Sequence, residues 1–455
     1  MRTVLINRAV LTVTLCYLAV GARAQDVLES YIRDGLTSNL VLQQRQISLQ
    51  RADYALKSAK SMYLPSMALQ VGYQTADGGR NIPLPIGDLL NPVYSTLNQL
   101  TQSGRFPQIE NETINFLPRN YYDAHVRTTM PLINTAIAHN KRIHEQQVRL
   151  SELEVDIYKR ELVKDIKVAY FNYLSTLQAV DVYRSALALA EEGRRTNQRL
   201  VDNGKGLPAY VLRANSEVAE ARARLTDAEL QVRNAQRYFN SLLNREADAE
   251  IDTAFNREHA LLGAAGTIRG AQPHQREELT SLATAIGIRE TALKMDRQFA
   301  VPRLNAFLDL GSQSEGFHFN DQTRYYLIGL QLEMPLFSGG RNKYKIAQSR
   351  LDVQEARLQL QHAQQQLELA SSAARHQLES AWQNYQSAQS QLEAASAYQR
   401  LITRGYQAGS NSYIETVDAR NQYTAAKLAL VISTFQVLSA AATLEREQGS
   451  YPLIQ

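Results

Sequence analysis

Met334-Pro335-Leu336-Phe337-Ser338-Gly339-Gly340 opens the stretch that decides the fold, which continues without a further proline to Leu444. Small and apolar residues recur along it in steps of three and four, which average the period of coiled coils. Near its middle, Tyr406-Gln407-Ala408-Gly409-Ser410-Asn411-Ser412 has the composition of a helix end followed by a tight turn. We therefore predict a long antiparallel helical hairpin over residues 337–444, with its tip at 405–412. The predicted seam consists of Leu360, Leu367, Ser371, Ala374, Leu378, Ala381, Tyr385, Ala388, Leu392 and Ala395, then Tyr423, Ala426, Leu430, Ser433, Val437, Ala440 and Leu444.

An earlier part of the chain repeats this hairpin. Pro131 matches Pro335 and Gly204 matches Gly409, and the two proline-to-glycine separations are 73 and 74 residues. We predict a first coiled-coil hairpin over residues 132–244, with its tip at 204–208. Its seam consists of Leu162, Ile166, Ala169, Tyr173, Thr176, Val180, Tyr183, Leu187 and Ala190, then Val218, Ala221, Leu225, Ala228, Val232, Ala235, Phe239 and Leu242.

The repeat extends upstream of both hairpins. Similar six-residue segments precede Pro65 and Pro302, and both matches hold at an offset of 237 residues. Because a proline ends a helix, we predict an N-terminal helix over residues 25–62 and a corresponding leading helix over 276–300. The chain therefore consists of two tandem repeats, each with two helical regions around an intervening segment.

The intervening segments, residues 63–131 and 301–336, change from the helical period to an alternation of apolar with polar or small residues. Each contains two such runs of about ten residues, the length that a tilted strand needs to cross a bilayer. We predict one pair of membrane strands in each segment. The positions on one face are Met67, Leu69, Val71, Tyr73, Ala124, Val126, Thr128 and Met130 in the first, and Leu304, Ala306, Leu308, Leu310, Tyr326, Ile328, Leu330, Leu332 and Met334 in the second.

These runs fit the half-buried sheet of a soluble protein equally well, and the context favours a membrane barrel. Four strands cannot close a barrel around a pore, and every backbone polar group in lipid must be paired. If the strands span the membrane, several chains must share one barrel.

Three remaining segments interrupt the periodic pattern. Residues 77–119 are rich in proline, asparagine and glycine, and are predicted to form a long loop outside the membrane, with a plug or lid as a further possibility. Residues 245–275 are predicted to be an irregular segment that joins the repeats and packs around the helices. Residues 445–455 form a short C-terminal tail.

Residues 1–24 have the pattern of a secretory signal peptide, with a basic start, an apolar core and the cleavage sequence Ala22-Arg23-Ala24. Removing this segment also removes Cys16, the one cysteine, so disulfides and cysteine chemistry are not expected in the mature chain. The net charge falls from +4 to +1 with the loss of three arginines, which leaves no basic surplus to suggest nucleic acid as a partner.

The sequence does not favour an enzyme or a cofactor site. The 8 histidines are scattered. His139 and His144 are five residues apart, which does not place them on one helix face as a spacing of four would. Gly339-Gly340 lacks the lysine and hydroxyl residue of a phosphate loop, and Trp382 lies beside the seam, where packing explains it. No catalytic residue, metal ligand or cofactor is predicted.

The repeat, the four strands, the run Met334-Pro335-Leu336-Phe337-Ser338-Gly339-Gly340-Arg341 and the turns 204–207 and 408–411 together resemble the TolC-type outer membrane efflux family, over nearly the whole mature chain. This resemblance implies a mainly helical protein with a transmembrane β-barrel. It also implies a homotrimer, in which three protomers form one twelve-stranded barrel in outer membrane lipid and a helical barrel in the periplasm. Such proteins are exit ducts that dock onto a periplasmic adaptor, the membrane fusion protein. They work with an inner-membrane transporter of the RND, ABC or a similar type, in efflux or type I secretion.

The resemblance also assigns residues to the periplasmic end. Counted from Gly409, the family's acidic ring falls on Glu415 and Asp418, so that three copies would place six carboxylates around a narrow mouth. Such a ring would attract cations, and its close like charges would raise carboxyl pKa values. An ordinary helix with two solvated carboxylates is the alternative.

The family's gate falls on Tyr406, Asn411 and Tyr210. Tyr406 matches a tyrosine that helps to latch the closed state. Asn411 stands where the family has an arginine and Tyr210 where it has an aspartate, so the family's ion pair is absent at these positions. A latch here would depend on hydrogen bonds or aromatic contacts.

The turns at the two tips are the expected docking surface for the adaptor, with Gly204, Gly206, Leu207, Gly409 and Ser410 as the candidate residues. Ordinary helix-to-helix turns are the alternative. For the whole protein, the alternative is a non-channel periplasmic coiled-coil scaffold or tether, which would leave the alternating strands unexplained. The residues do not decide between drugs, metals and proteins as the substrate.

Overall fold

The computed structural model describes residues 27–270 and 276–453, so the predicted signal peptide lies outside the described residues. The chain divides into a helical unit, which contains residues 27–53, 146–270, 276–289 and 351–453, and a sheet unit, which contains residues 54–145 and 290–350. The helices of the described residues are α1 (27–38), α2 (Leu40–Ser61), α3 (Ile86–Thr101), α4 (Thr135–Asp202), α5 (Pro208–Leu242), α6 (Arg257–Gly270), α7 (Glu277–Arg297), α8 (Arg341–Gln407) and α9 (Tyr413–Gln448). The strands are β1 (Ser66–Gln74), β2 (Asn81–Leu84), β3 (Glu112–Asn115), β4 (Tyr121–Ile133), β5 (Arg303–Glu315) and β6 (Arg324–Glu333).

The two predicted hairpins are present as α4–α5 and α8–α9, and their seam positions are buried or half-buried. Alanine and leucine dominate these positions, and Ile166, Leu378 and Leu444 are each fully buried. α9 is the one helix of the described residues that is long and apolar enough to cross a membrane, but 44% of its 18-residue apolar window is buried inside the protein. We therefore interpret its apolar character as the consequence of packing in the helical unit.

The predicted N-terminal helix is wrong in one detail, because it breaks at Asn39 into α1 and α2. The Asn39 side chain caps α2 by accepting hydrogen bonds from the backbone N–H groups of Val41 and Leu42, both at 3.0 Å. Its amide donates to the carbonyl oxygen of Leu242 at 2.8 Å. Asparagine favours such caps because its short side chain competes with the backbone for hydrogen bonds.

The segment 245–275 was predicted to be irregular, and this prediction is wrong for Arg257–Gly270, which form α6. Residues 245–256, which precede α6, have no regular secondary structure and are attached to the core by hydrogen bonds. The hydroxyl of Tyr170 donates to the carbonyl oxygen of Asp252 at 2.9 Å. The backbone N–H of Asp252 donates to the hydroxyl of Tyr31 at 2.7 Å. Because Tyr31 and Tyr170 lie in the buried core, the irregular segment is fixed by tertiary contacts that no local sequence pattern reveals.

The four long strands lie where the alternation predicts them and form one antiparallel sheet in the order β1-β4-β5-β6. Register places Gln70, His125, Gly311 and Tyr325 side by side on one face. That face is polar, and it contains the bidentate pair in which Arg127 donates to Asp309 at 2.8 and 2.6 Å.

The other face of the sheet is apolar, and many of its large side chains are exposed. At least half of the surface of each of the following remains exposed: Met67, Leu69, Val71, Tyr73, Leu310, Tyr326, Ile328, Leu330 and Leu332. Exposure of an apolar surface of this extent to water is energetically unfavourable, and such a surface marks a contact with lipid or another protein.

The segment 77–119 was predicted to be a loop, and this prediction is wrong in its secondary structure. It contains α3 and a separate antiparallel pair of the short strands β2 and β3. Pro83 lies in the two-stranded sheet and Pro85 occupies the N-cap of α3, positions at which a missing N–H donor is tolerated. The placement of this segment outside the membrane stays a prediction.

Candidate functional site at the tips of the helical hairpins

The first tip ends α4 and begins α5 through a glycine turn. Gly204 has a φ of +70°, a left-handed conformation that glycine adopts without steric cost. Its N–H donates to the carbonyl oxygen of Val201 at 2.9 Å, and the N–H of Lys205 donates to that of Leu200 at 2.8 Å. This pair of bonds is the Schellman motif, which satisfies the last carbonyl groups of a helix.

Two other predicted docking residues complete this turn. A Cβ atom on Gly206 would lie 2.8 Å from the backbone nitrogen of Val201, so the backbone approaches too closely for a side chain. Leu207 is 57% exposed and is followed by Pro208 in the first turn of α5, where proline is favoured. The first tip therefore presents an apolar side chain on a rigid turn.

The second tip uses the same motif between α8 and α9. Gly409 has a φ of +81° and donates from its N–H to the carbonyl oxygen of Tyr406 at 3.1 Å. The N–H of Ser410 donates to the carbonyl oxygen of Gly405 at 2.9 Å. A Cβ atom on Gly405 would collide with the side-chain oxygen of Asn411, so a larger residue here would displace the Asn411 side chain.

The predicted ring residues, Glu415 and Asp418, lie in the first turns of α9. Ser412 and Glu415 form a capping box: the Ser412 hydroxyl accepts from the N–H of Glu415 at 3.4 Å, and Glu415 Oε2 accepts from the N–H of Ser412 at 2.8 Å. The amide of Asn411 also donates to Glu415 Oε2 at 2.9 Å. This hydrogen bond, together with that from the Ser412 backbone, lowers the pKa of Glu415.

Asp418 is exposed and follows Glu415 by three residues, so both carboxylates lie on the same side of α9. Asp418 accepts a hydrogen bond from the amide of Gln422 at 2.7 Å. The two predicted ring residues are thus neighbouring, solvent-facing carboxylates, and an assembly of several copies could present them together.

Two of the three gate candidates come together, through a residue that the sequence analysis missed. Tyr413 is 1% exposed, and its ring centroid lies 5.4 Å from that of Tyr210 and 6.1 Å from that of Tyr406. The hydroxyl of Tyr406 donates to the side-chain oxygen of Asn197 at 3.0 Å. Burial, and then the neighbouring Tyr210, raise the pKa of Tyr406. Asn411, the third candidate, is engaged with Glu415 instead.

An ion pair next to these aromatic rings was also missed. Arg420 of α9 lies 3.5 Å from Glu217 of α5, and the side chains of both residues are only 13% exposed. Glu217 also accepts from the hydroxyl of Tyr413 at 3.1 Å. Arg420 donates to the carbonyl oxygen of Leu189 in α4 at 2.7 Å.

The signal for this pair was present in the sequence but weak. Tyr413 and Arg420 are seven residues apart, one full heptad, so they lie on the same side of α9. No local pattern indicates that Glu217 is their partner on another helix. The result is a cross-link of α4, α5 and α9 close to both tips, made of aromatic rings and one largely buried ion pair.

The sheet and the hairpins together define a class of protein. A sheet with one exposed apolar face is typical of membrane β-structure, and long coiled-coil hairpins are typical of soluble, elongated regions. Their combination in one chain defines an envelope protein that has a membrane sheet and extended helices. The profile of the family "Outer membrane efflux protein" matches residues 31–245 and 275–450, and the chain therefore belongs to that family and to the outer membrane.

Comparison with individual proteins supports this assignment. The alkaline protease secretion protein AprF of Pseudomonas aeruginosa is 25% identical over 264 residues, which are 54% of this chain. The match spans about half of AprF, 51% of its length.

Two solved structures share the fold over nearly the whole chain. The Campylobacter jejuni CmeC outer membrane channel superposes with a TM-score of 0.74 at 15% identity, over 93% of this chain and 85% of that one. The outer membrane protein VceC of Vibrio cholerae has a TM-score of 0.73 at 15% identity, over 94% and 98% of the two chains. This likeness confirms a fold that is mostly helical with a smaller sheet.

Proposed function

We propose that this protein is the outer membrane exit duct of a tripartite efflux or type I secretion system. The observation that carries the proposal is the four-stranded sheet, which has a continuous exposed apolar face and a polar face. In a membrane barrel the apolar face contacts lipid and the polar face lines the water-filled interior. The family assignment supports the same function.

The open sheet supports an oligomer. β1 and β6 are the edges of the four-stranded sheet, and unpaired backbone groups at such edges are too costly in lipid. Pairing of β6 in one copy with β1 in the next removes both edges. With three protomers, as in the TolC-type resemblance, two repeats of two strands per chain give a twelve-stranded barrel, and the hairpins form the helical barrel in the periplasm.

Glu415 and Asp418 are proposed to form the acidic ring at the periplasmic entrance. Both are exposed, and the hydrogen bonds from Asn411 and Ser412 that lower the pKa of Glu415 oppose the rise that close like charges in a ring would cause. Six carboxylates around a narrow opening would attract multivalent cations and hold them in the path of other ions. Tyr406 and Tyr210, whose rings contact that of Tyr413 in tilted orientations, are proposed to hold the entrance closed.

The decisive experiment measures single-channel conductance of the full-length protein in a planar lipid bilayer, with and without a trivalent cation on the helical side. Discrete current steps are expected, and the cation is expected to block them. The double variant Glu415→Ala, Asp418→Ala should conduct without block, whereas Glu229→Ala, which removes an exposed carboxylate from α5, should be blocked as the wild type is. If the cation still blocks the double variant, the acidic ring is overturned. If the protein gives no current steps and a carbonate wash removes it from membranes, the duct itself is overturned.

The tips are proposed to bind a periplasmic adaptor that connects the duct to an inner-membrane transporter. Their turns are rigid, and Leu207 is exposed at the first of them. Leu207→Glu and Gly409→Trp should each reduce chemical crosslinking to the adaptor. Gly266→Trp is the control, because Gly266 lies in α6 and a side chain there would meet open space. Equal crosslinking of all three variants would contradict docking at the tips.

A further inference from the structure

The insertion between β1 and β4 carries an exposed apolar surface that the proposed duct does not explain. Leu89, Val93 and Leu100 of α3 are 69%, 51% and 76% exposed. Their spacings of four and seven residues place them on one side of the helix. We call these three side chains the α3 ridge.

The opposite side of α3 is held rigidly against the extended segment 103–111. Three asparagines each make two hydrogen bonds across this contact, and a Cβ atom on Gly87 would collide with the carbonyl oxygen of Ile109. The pairs are Asn91 with the backbone of Ile109 (2.8 and 3.0 Å), Asn98 with the backbone of Phe106 (2.8 and 3.1 Å), and Asn111 with the N–H and carboxylate of Asp88 (3.1 and 3.0 Å). The α3 ridge is therefore preorganised, which lowers the entropic cost of binding a partner.

The charge of α3 argues against a lipid surface as that partner. The helix contains no lysine or arginine, and Asp88 is its one charged residue. Helices that lie on membranes normally carry basic residues on their polar side, which attract anionic lipid. A surface without charge can instead meet a copy of itself without electrostatic repulsion.

The position of the insertion supports the same conclusion. Aromatic side chains cluster at this end of the sheet: Tyr122 lies 4.6 Å from Phe319, and Tyr73 stacks on Phe317 at 5.5 Å, as measured between ring centroids. Aromatic girdles mark the boundary between membrane and water in barrels of this kind. The insertion begins beyond Tyr73, on the water side of that boundary.

We propose that the α3 ridges of neighbouring protomers pack against one another and cap the outer end of the duct. The proposal rests on the trimeric duct proposed above, because the threefold axis is what brings three copies of the insertion together. Burial of the three apolar side chains in each copy removes them from water and supplies the driving force. The substrate would then displace the cap when it leaves the duct.

Disulfide crosslinking tests the contact directly. In full-length protein with Cys16→Ala, Leu100→Cys should form a disulfide between protomers in the membrane, visible as a dimer on non-reducing gels. Two cysteines bridge only if their Cα atoms approach within about 7 Å, and one disulfide can join at most two of the three chains. Ser95→Cys is the matched control, because Ser95 is also exposed but lies on another side of α3; it should remain monomeric on the same gel.

The outcomes separate this proposal from the duct itself. Amine crosslinking of the same samples reports the trimer independently of α3. The cap is overturned if the trimer is present but Leu100→Cys forms no disulfide, or forms it no faster than Ser95→Cys. Quenching of a fluorophore on Leu100→Cys by brominated lipids would overturn it too, in favour of a lipid contact. Absence of the trimer would instead overturn the proposed function.

A functional readout completes the test. Leu89→Asp with Leu100→Asp places like charges in the proposed contact, so we expect a loss of the closed state at the outer end and larger single-channel currents than in the wild type. Ser95→Asp should leave the current unchanged. Equal currents for the wild type and both variants would contradict a closing role for α3.

Discussion

Replacement of Arg420 by methionine should loosen the tip of the second hairpin. The guanidinium group joins three helices: it lies 3.5 Å from Glu217 in α5, donates to the carbonyl oxygen of Leu189 in α4 at 2.7 Å, and lies 5.7 Å from the centre of the Tyr413 ring in its own helix, α9. Methionine keeps much of the apolar stem but removes every one of these polar contacts. The carboxylate of Glu217 is then left largely buried with less compensation.

The size of the effect follows from burial. Removal of one partner from a buried ion pair costs about 3–5 kcal/mol, because the remaining charge is still desolvated. Glu217 keeps an ion pair with Arg213 at 3.0 Å and the hydrogen bond from the Tyr413 hydroxyl at 3.1 Å, so we expect a cost no greater than the lower end of this range. A cost of about 3 kcal/mol corresponds to an increase in local opening on the order of 100-fold, since each 1.4 kcal/mol is a factor of ten.

Hydrogen exchange measured by mass spectrometry on peptides that cover residues 404–420 reports this opening. Arg199→Met is the matched control, because Arg199 lies near the first tip, is 69% exposed and pairs with Glu192 at the surface. Exposed pairs contribute less than about 1 kcal/mol, so its protection factors should change less than about sixfold. Equal loss of protection in the two variants, or no loss in Arg420→Met, would refute the assignment of Arg420 as the residue that holds the tip.

Three further predictions concern caps and turns. Asn411→Ala should raise the pKa of Glu415 towards its ordinary value of 4.5, measured by NMR titration of the labelled carboxyl. In the wild type, where this pKa is lowered, the carboxylate's contribution to tip stability is present above pH 4.5 and is lost as the pH falls through the folded-state pKa. Asn39→Ala should destabilise the start of α2 by about 1 kcal/mol through loss of the cap, whereas Asn39→Asp should retain most hydrogen-exchange protection there. Gly409→Ala should destabilise the tip by about 1–2 kcal/mol, because its positive φ is unfavourable for alanine. Gly409→Asn should destabilise it less, and hydrogen exchange in the peptides that cover residues 404–420 measures both effects.

The periodic parts of the fold could be predicted from the sequence because their cause is local. Seam positions such as Ala374 and Leu378 repeat at the heptad period and are buried, and the alternation from Met67 to Tyr73 lies on one strand. A period identifies an element and its buried side without knowledge of the partner. The glycines at the tips could be predicted for the same reason, because a helix end with a positive φ has a local preference for glycine.

The insertion and the buried ion pair could not be predicted because their contacts join distant positions. Proline density in residues 77–119 indicated a loop, yet Asn91 and Ile109, which are 18 residues apart, hold α3 in place. Arg420 and Glu217 are separated by 203 residues. Each residue taken alone has the sequence context of an exposed polar helix position, so only the fold reveals that they meet.

The chemistry of the tips bears on the closed state proposed above. The family that this chain resembles has an arginine where Asn411 stands and an aspartate where Tyr210 stands, and these two residues can form an ion pair between the hairpins. Here Asn411 donates to Glu415 within its own turn, and the ring of Tyr210 contacts that of Tyr413 in a tilted orientation. The charged connection between hairpins is made instead by Arg420 and Glu217, both largely buried. Since salt screens buried pairs much less than exposed ones, the proposed closed state should depend only weakly on ionic strength.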